Sequence, residues 1–378
     1  DSIEVDKEKG QLIYCYVGSE SNLEVVKDNA FEKLQSIMQK NNLDLAIGAP
    51  IAVLFLHDVD GTFGQRLAEY AVLDELMNDA EYDRYKNFMN DRKNNLEQEI
   101  RNQVTDLQRA MQIIFATDKE VSGSKLKQKL TNLFDIVYPL RVPFPFDGFH
   151  TSRGNAAKDC QLFTIDLFNG NVDHEWITAR PPQQRNRANS VLVDAWQIIG
   201  KDGLIRQIPG NQEVRGIIEL LDSKLDTEDG ESSQPLNMGE VLKLLCSPPY
   251  GCNIASAGLL LAYFVGSKKD VQLLQDNQSI NIDRWLQNAM VGNFLSPPVL
   301  ESTEIIKISG ESISEWQKFL DEWDLETTLI GKQKYYLEEE ELRNRIPVPL
   351  ELFWKLEINR KETMEALEEL NEFYKEFN

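Results

Sequence analysis

Histidine and cysteine are both scarce in this sequence. Its 378 residues include three histidines and four cysteines. So few histidines leave little room for a histidine-rich metal centre or a Ser-His-Asp triad. The cysteines are scattered, and no pair has the C-x2-C spacing of a zinc site; they are Cys15, Cys160, Cys246 and Cys252. We therefore expect buried, reduced thiols, a cytoplasmic protein and no cofactor bound by this chain.

Long hydrophobic runs are missing as well. The longest apolar stretch of interest, Gly258 to Val265, is far shorter than the ~18 residues that a transmembrane helix needs. The chain also does not open with the pattern of a secretory signal peptide. We expect no membrane partner. The first residue is Asp1 rather than methionine, and we expect either a trimmed chain or a piece of a longer protein.

Basic residues are outnumbered throughout most of the chain. The 40 lysines and arginines face 62 acidic residues, which gives a net charge of −22 and repels nucleic-acid phosphates. Residues 125 to 215 are the exception, with 12 basic and 9 acidic side chains. The residues predicted to contact any bound DNA are Arg180, Arg185, Arg187, Lys125, Lys127 and Lys129. The alternative for the arginines is an ordinary solvated loop.

The N-terminal region has the pattern of a βαβ unit. Apolar, β-branched and aromatic runs at Gln11 to Val17 and Ile51 to Leu56 predict two parallel strands, and Leu23 to Gln39 predicts the helix between them. From Tyr82 to Ile114 apolar residues recur every three or four positions, which predicts one helix of ~50 Å. Such a helix is an arm or hairpin that packs in a bundle, or else an oligomerising coiled coil.

The rest of the chain is predicted to be mainly helical. Pro139 to Phe149 is an ordered connector, and the polar stretch Asp226 to Pro235 marks a linker. Helices are predicted around Asn155 to Phe168, Arg187 to Ile199 and Glu213 to Leu225. The predicted fold is thus an α-rich α/β protein. Its domains are a small βαβ unit with a long helical insertion (1–150), a helical region (151–235), a winged-helix-like module (236–310) and an acidic helical tail (311–378).

The winged-helix prediction rests on turn chemistry. Helices at Leu236 to Leu245 and Ile254 to Val265 flank a proline-rich turn, and Val271 to Ile280 reads as a hairpin with Asp276-Asn277 at its tip. Residues 236 to 309 carry 5 basic and 6 acidic side chains, so the module lacks the positive excess of a DNA-binding surface. We expect it to contact protein.

One local motif points to phosphate chemistry. Asp58-Val59-Asp60-Gly61-Thr62 follows a buried strand and resembles motif I, D-x-D-G-T, of the haloacid-dehalogenase-like phosphohydrolases. That resemblance implies that Asp58 is the nucleophile and Asp60 the general acid/base, with magnesium. Two aspartates one residue apart past a parallel strand can face one metal and one phosphate. In the alternative, Asp60-Gly61-Thr62 forms a turn and caps the next helix.

A second resemblance covers more of the chain. Residues 246 to 264 (CSPPYGCNIASAGLLLAYF) look like a helix, P-P-Y-G turn, helix segment near the end of large bacterial P-loop ATPases of BREX-type anti-phage defence. The chain has no G-x4-G-K-[ST] motif, so it would lie downstream of such an ATPase core. The resemblance implies a non-catalytic binding and assembly region. Its partners would be proteins, the rest of a larger ATPase chain and possibly DNA. A phosphohydrolase and a structural scaffold are the alternatives.

Overall fold

A computed structural model of the chain describes residues 10–41, 43, 45–149, 154–226, 235–276 and 278–376. It confirms the predicted α-rich α/β class. The chain forms two compact units, Asp1–Pro139 and Leu140–Asn378. No helix in the described ranges combines the length and the apolar character needed to cross a bilayer.

The first unit is built on a three-stranded sheet. Its elements are β1 (Gln11–Val17), α1 (Leu23–Lys40), β2 (Ile51–His57), α2 (Thr62–Met77), a 3-10 turn (Ala80–Tyr85), α3 (Lys86–Ala110), β3 (Gln112–Phe115) and α4 (Leu126–Val137). β1 and β2 are parallel and β3 is antiparallel to β2, so the strand order is β1-β2-β3. The predicted βαβ unit is confirmed.

Helix α1 covers one face of this sheet. Leu34 and Met38 of the helix are buried in one cluster with Val17, Val53 and Phe55 of the strands. Strand β2 is the central strand, and its first five residues are buried whichever face they point to. That burial on both faces explains why its sequence is apolar at almost every position.

The predicted helix from Tyr82 to Ile114 is wrong at both ends. Helix α3 spans Lys86–Ala110, and the residues after it form β3 along β2. Pairing with a central strand decides the conformation of Gln112–Phe115, which contains two adjacent isoleucines. The partner helix expected for a hairpin is α2, which runs antiparallel to α3 and is joined to it by side-chain pairs such as Arg66–Glu99 at 2.7 Å.

The second unit begins at Leu140, within the proline-rich connector. Up to residue 307 it contains α5 (Asn155–Phe168), α6 (His174–Thr178), α7 (Pro182–Ala188), a π-helix (Asn189–Ala195), α8 (Gln212–Leu225), β4 (Leu236–Asn237), α9 (Met238–Leu245), α10 (Ile254–Gly266), β5 (Val271–Gln275), β6 (Gln278–Ser279), α11 (Ile282–Ala289), β7 (Met290–Val291), β8 (Phe294–Leu295), α12 (Pro297–Glu301) and β9 (Thr303–Lys307).

The predicted helix from Arg187 to Ile199 is wrong over its last four residues. The helical segment ends at Ala195, and Ile199 instead forms an isolated antiparallel bridge with Ile205. Two observations explain the end of the helix. Gln197 has a positive φ of 54°, and the indole of the fully buried Trp196 donates to the carbonyl of Pro143 at 2.7 Å.

One hydrophobic core runs from Val142 to Ile305. Helix α10 lies at its centre, with every side chain from Ala255 to Val265 buried, and packs on both α5 and α9. The boundary predicted near residue 235 therefore falls inside the span of a shared core. Residues 227–234 of the predicted linker lie outside the described residues.

The predicted hairpin is confirmed. β5 and β6 pair antiparallel, and Asp276 takes a φ of +52° at the turn, while Asn277 lies outside the described residues. β9 pairs on both of its sides, which gives the sheet order β4-β9-β5-β6. The winged-helix assignment of the whole module stays a prediction.

The acidic tail is helical, as predicted. It forms α13 (Gly310–Leu325), α14 (Leu329–Arg345) and α15 (Leu350–Glu376). These helices have a hydrophobic cluster of their own, in which Trp316 and Trp323 are fully buried. Trp354 and Leu370 of α15 are not part of this cluster and are 47% and 40% exposed.

Candidate functional site

Asp58 lies directly after the central strand β2, beside the end of β1. Its side chain is 2% exposed. Oδ1 accepts a hydrogen bond from the amide of Phe63 at 3.2 Å, and Oδ2 accepts from the amide of Gly64 at 2.8 Å and from the hydroxyl of Tyr16 at 2.9 Å. The carboxylate thus caps the first turn of α2 and ties it to β1. Desolvation and the bond to Asp58 raise the pKa of Tyr16 above that of an ordinary tyrosine.

Asp60 has a local role in the same loop. Its Oδ1 accepts from the hydroxyl of Thr62 at 2.9 Å and from the amide of Thr62 at 3.2 Å, and these bonds lower the pKa of Asp60. Gly61, between them, has a φ of +72°, which glycine adopts without strain. The geometry is that of the turn and helix cap that the sequence offered as the alternative.

Both oxygens of Asp58 accept hydrogen bonds from the protein, and the residue is 2% exposed, so a phosphate has little access to it in this structure. Oδ1 accepts a single bond and keeps a lone pair. The roles that motif I implies for Asp58 and Asp60, with magnesium, stay predictions. In the described part of the chain, no group of three or more histidine, cysteine or acidic side chains is placed to bind a metal ion.

Arg187 is not a surface residue. It is 7% exposed, its Nε donates to the carbonyl of Asp147 at 2.8 Å, and its Nη1 pairs with the carboxylate of Asp159. Gln184 donates to the other oxygen of Asp159 at 2.8 Å. The prediction that Arg187 contacts nucleic acid therefore conflicts with its position, because the ion pair and the carbonyl occupy its guanidinium inside the protein.

Arg180 is also engaged with its own protein. Its guanidinium lies over the ring of Trp176 at 4.3 Å and is 3.9 Å from Oδ2 of Asp166. The indole of Trp176 donates to the same oxygen at 2.9 Å. Partial burial raises the pKa of Asp166. Of the three arginines, Arg185 on α7 is the one that is neither buried nor given an ion pair in the described structure.

The three predicted lysines lie at the start of α4, in the first unit. Lys125 and Lys127 are exposed and Lys129 is half-buried. The arginines belong to the second unit. That the fold brings the two sets together stays a prediction.

The edge of β1 is a feature that the sequence analysis missed. Leu12, Tyr14 and Tyr16 point to one face of the strand and are 43%, 54% and 48% exposed. β1 carries no charged residue, and it is the terminal strand of the sheet as the structure describes it. The signal was present in the sequence: β1 is apolar on both faces, although α1 covers only one of them.

The same three residues of β1 have backbone amide and carbonyl groups that do not pair with β2. The amide of Gln11 donates to Pro50, and the carbonyl of Val17 accepts from Asp58, so the odd-numbered residues face β2. In a parallel ladder the intervening residues direct their amide and carbonyl groups the other way. Leu12, Tyr14 and Tyr16 therefore present these groups to the edge that no strand among the described residues occupies, with the thiol of Cys15 4.0 Å from the carbonyl of Tyr16.

Comparison with known proteins finds no protein family, no curated protein and no solved structure that matches the chain. The site has to be interpreted from its own geometry.

Proposed function

We propose that the chain is a non-catalytic binding and assembly region whose main partner is another protein. The observation that carries this proposal is the exposed, uncharged edge and face of β1 at Leu12, Tyr14 and Tyr16. Contiguous exposed apolar surface is typical of protein interaction sites. The burial of Asp58, which is 2% exposed, supports a non-catalytic role for the loop beside it, because a substrate has little access to the carboxylate.

Charge supports a protein partner over DNA. The net charge of −22 repels phosphates, and two of the three predicted arginines are held by acidic residues of their own protein. DNA contact at Arg185 and the α4 lysines is the secondary proposal. The resemblance of the P-P-Y-G segment supports the protein-partner proposal. In that proposal, the partner is part of a larger defence ATPase assembly.

A site-specific photo-crosslink tests the proposal. A photoreactive amino acid replaces Leu12, on the exposed face of β1, in the cells that make the protein. The control carries the same group at Leu325, which is 80% exposed on the tail. We expect one discrete protein adduct from position 12 and diffuse, weak labelling from position 325. Equal labelling at both positions, or no adduct at position 12, would contradict the proposal.

The phosphohydrolase alternative has its own measurement. Magnesium-dependent release of phosphate from p-nitrophenyl phosphate is followed for the wild type and for Asp58→Asn. We expect no release above background from either protein. Release that Asp58→Asn abolishes, while circular dichroism shows an unchanged fold, would establish the enzyme instead.

A further inference from the structure

We infer that the partner binds by adding an extended strand to the free edge of β1. The inference rests on the proposed function and names its mode of contact. The amide and carbonyl groups of Leu12, Tyr14 and Tyr16 recur along the edge at a spacing of ~6.8 Å, the repeat of every second residue in a strand. A partner segment of about five to seven residues would satisfy them all, as in other cases of strand addition.

Within the part of the chain that the structure describes, the edge lacks the usual protection against such pairing. Exposed edge strands are normally interrupted by charged residues, proline or a bulge, or are covered by another element. β1 has neither charge nor proline from Gln11 to Val17, and its seven residues pair with β2 in unbroken register. A strand of this kind is a template for another strand.

The neighbouring helix sets the side-chain preference of the partner. Phe63, at the start of α2, lies against Tyr16 with ring centroids 5.7 Å apart. Leu67, one turn further along α2, is 42% exposed. The apolar surface of Leu12, Tyr14 and Tyr16 thus extends onto α2. Cross-strand neighbours on this face are expected to be β-branched or aromatic, because such pairs stabilise sheets.

Acidic residues beyond the end of β1 favour a basic partner segment. Glu20 follows β1 and Asp60 follows the neighbouring strand β2, so both lie past the same end of the parallel pair. Both are exposed, and neither forms an ion pair within the described residues. A basic residue at the end of the partner strand would be attracted to them. A second copy of this chain would bring another net charge of −22, so a basic segment of a different protein fits better.

A peptide provides the direct test. The probe is the labelled nine-residue peptide Lys-Val-Thr-Val-Tyr-Val-Thr-Val-Lys, whose palindromic sequence presents the same side chains in both strand orientations. Its control has glutamate in place of both lysines. Fluorescence anisotropy is expected to show saturable binding of the lysine peptide, and binding of the glutamate peptide weaker by about tenfold because of repulsion at Glu20 and Asp60. Equal affinities, or no saturable binding of the lysine peptide, would overturn the inference.

Two variants at one position isolate the backbone contribution. Tyr14→Pro removes an outward amide that β2 does not use, whereas Tyr14→Thr keeps that amide and removes only the ring. We expect Tyr14→Pro to lower the affinity for the lysine peptide by at least about tenfold. Tyr14→Thr should lower that affinity by less than about threefold. Circular dichroism and thermal unfolding check that both variants are folded. Wild-type affinity in Tyr14→Pro would overturn strand addition.

The crosslink at position 12 distinguishes strand addition from protein binding in general. An adduct that disappears in Tyr14→Pro and persists in Tyr14→Thr supports strand addition. An adduct that survives Tyr14→Pro overturns strand addition but leaves the protein-binding function standing, and absence of any adduct removes both. A wild-type dimer in light scattering that Tyr14→Pro converts to monomer would replace the basic partner with a second copy.

Discussion

Gly266 and Leu167 bring two helices of the second unit into backbone contact. A Cβ atom placed on residue 266, at the end of α10, would lie 1.7 Å from the carbonyl oxygen of Leu167 on α5. Only a glycine permits this approach. Helices α5 and α10, which lie on either side of the domain boundary predicted near residue 235, are therefore in contact at a point where no side chain fits.

We predict that Gly266→Ala lowers the free energy of unfolding by about 3 kcal/mol, because the helices must separate to admit the methyl group. Gly258→Ala on the same helix is the matched control. Its Cβ would lie 3.5 Å from Leu295, an ordinary contact, and higher helix propensity should make it neutral or stabilising by up to about 1 kcal/mol. Urea unfolding measures both. Equal effects would show that the close approach is not rigid.

A second prediction concerns the buried pair of Arg187 and Asp159. Arg187→Ala leaves the carboxylate of Asp159 buried without its cation and should destabilise the protein by about 3–5 kcal/mol. Arg185→Ala, two residues earlier on α7, should change stability by less than about 0.5 kcal/mol. Thermal unfolding distinguishes the two. A stable Arg187→Ala protein with weakened affinity for duplex DNA would restore the role that the sequence predicted for this residue.

The Asp58 cap gives a third prediction. Asp58→Asn replaces one accepting oxygen with an amino group that faces protein donors, so we expect a loss of about 1–3 kcal/mol in the free energy of unfolding. Asp60→Asn, in the exposed turn, is the control and keeps an oxygen that accepts from Thr62. Comparable losses for the two variants would mean that the cap contributes little.

The same cap predicts a pH dependence. The pKa of Tyr16 is raised in the folded protein, so the neutral phenol is favoured by folding. Its contribution to stability is complete below the ordinary tyrosine pKa of ~10 and is lost as the pH rises through the folded value. Absorbance at 295 nm, with the signal of Tyr16→Phe subtracted, gives the titration of Tyr16 alone. We expect its midpoint to lie above the ordinary tyrosine pKa in the wild type and closer to that pKa in Asp58→Asn. An unchanged midpoint would contradict the bond to Asp58.

The fifth prediction concerns thiol reactivity. Burial raises the pKa of Cys160 to about 12 and that of Cys252 to about 11, so neither forms appreciable thiolate near neutral pH. Cys246 is also buried, whereas Cys15 is only half-buried on β1. We expect Cys15 to react first with a thiol-specific disulfide reagent at pH 8, and all four cysteines to react in denaturant. Fast labelling that persists in Cys15→Ser would contradict this order.

The sequence predicted best where local pattern and final environment agree. Helix α5 has the predicted bounds, and β1 and β2 follow from their apolar, β-branched composition. The sequence failed where a distant partner decides the outcome. Gln112–Phe115 continues a helical spacing but pairs with β2, about sixty residues earlier in the chain.

The candidate site shows the same limit. The arginines of residues 180 to 187 form a basic cluster in the sequence, yet Arg187 is neutralised by Asp159, which lies 28 positions away and gives no local signal. The turn at Asp60-Gly61-Thr62 was predicted as an alternative because its bonds are local, whereas the carboxylate that caps α2 belongs to Asp58. The open edge of β1 depends on which strands are present, and that cannot be read from the strand itself.

Because one core runs from Val142 to Ile305, the second unit should be able to assemble from two separate fragments. Helix α5 precedes the segment between Asp226 and Pro235, and α10 follows it, yet the two helices share one buried interface. If the chain is divided in that segment, each fragment exposes the apolar surface that the other covers. Co-expressed fragments should reassemble and restore a reporter fused across the break, whereas either fragment alone should aggregate.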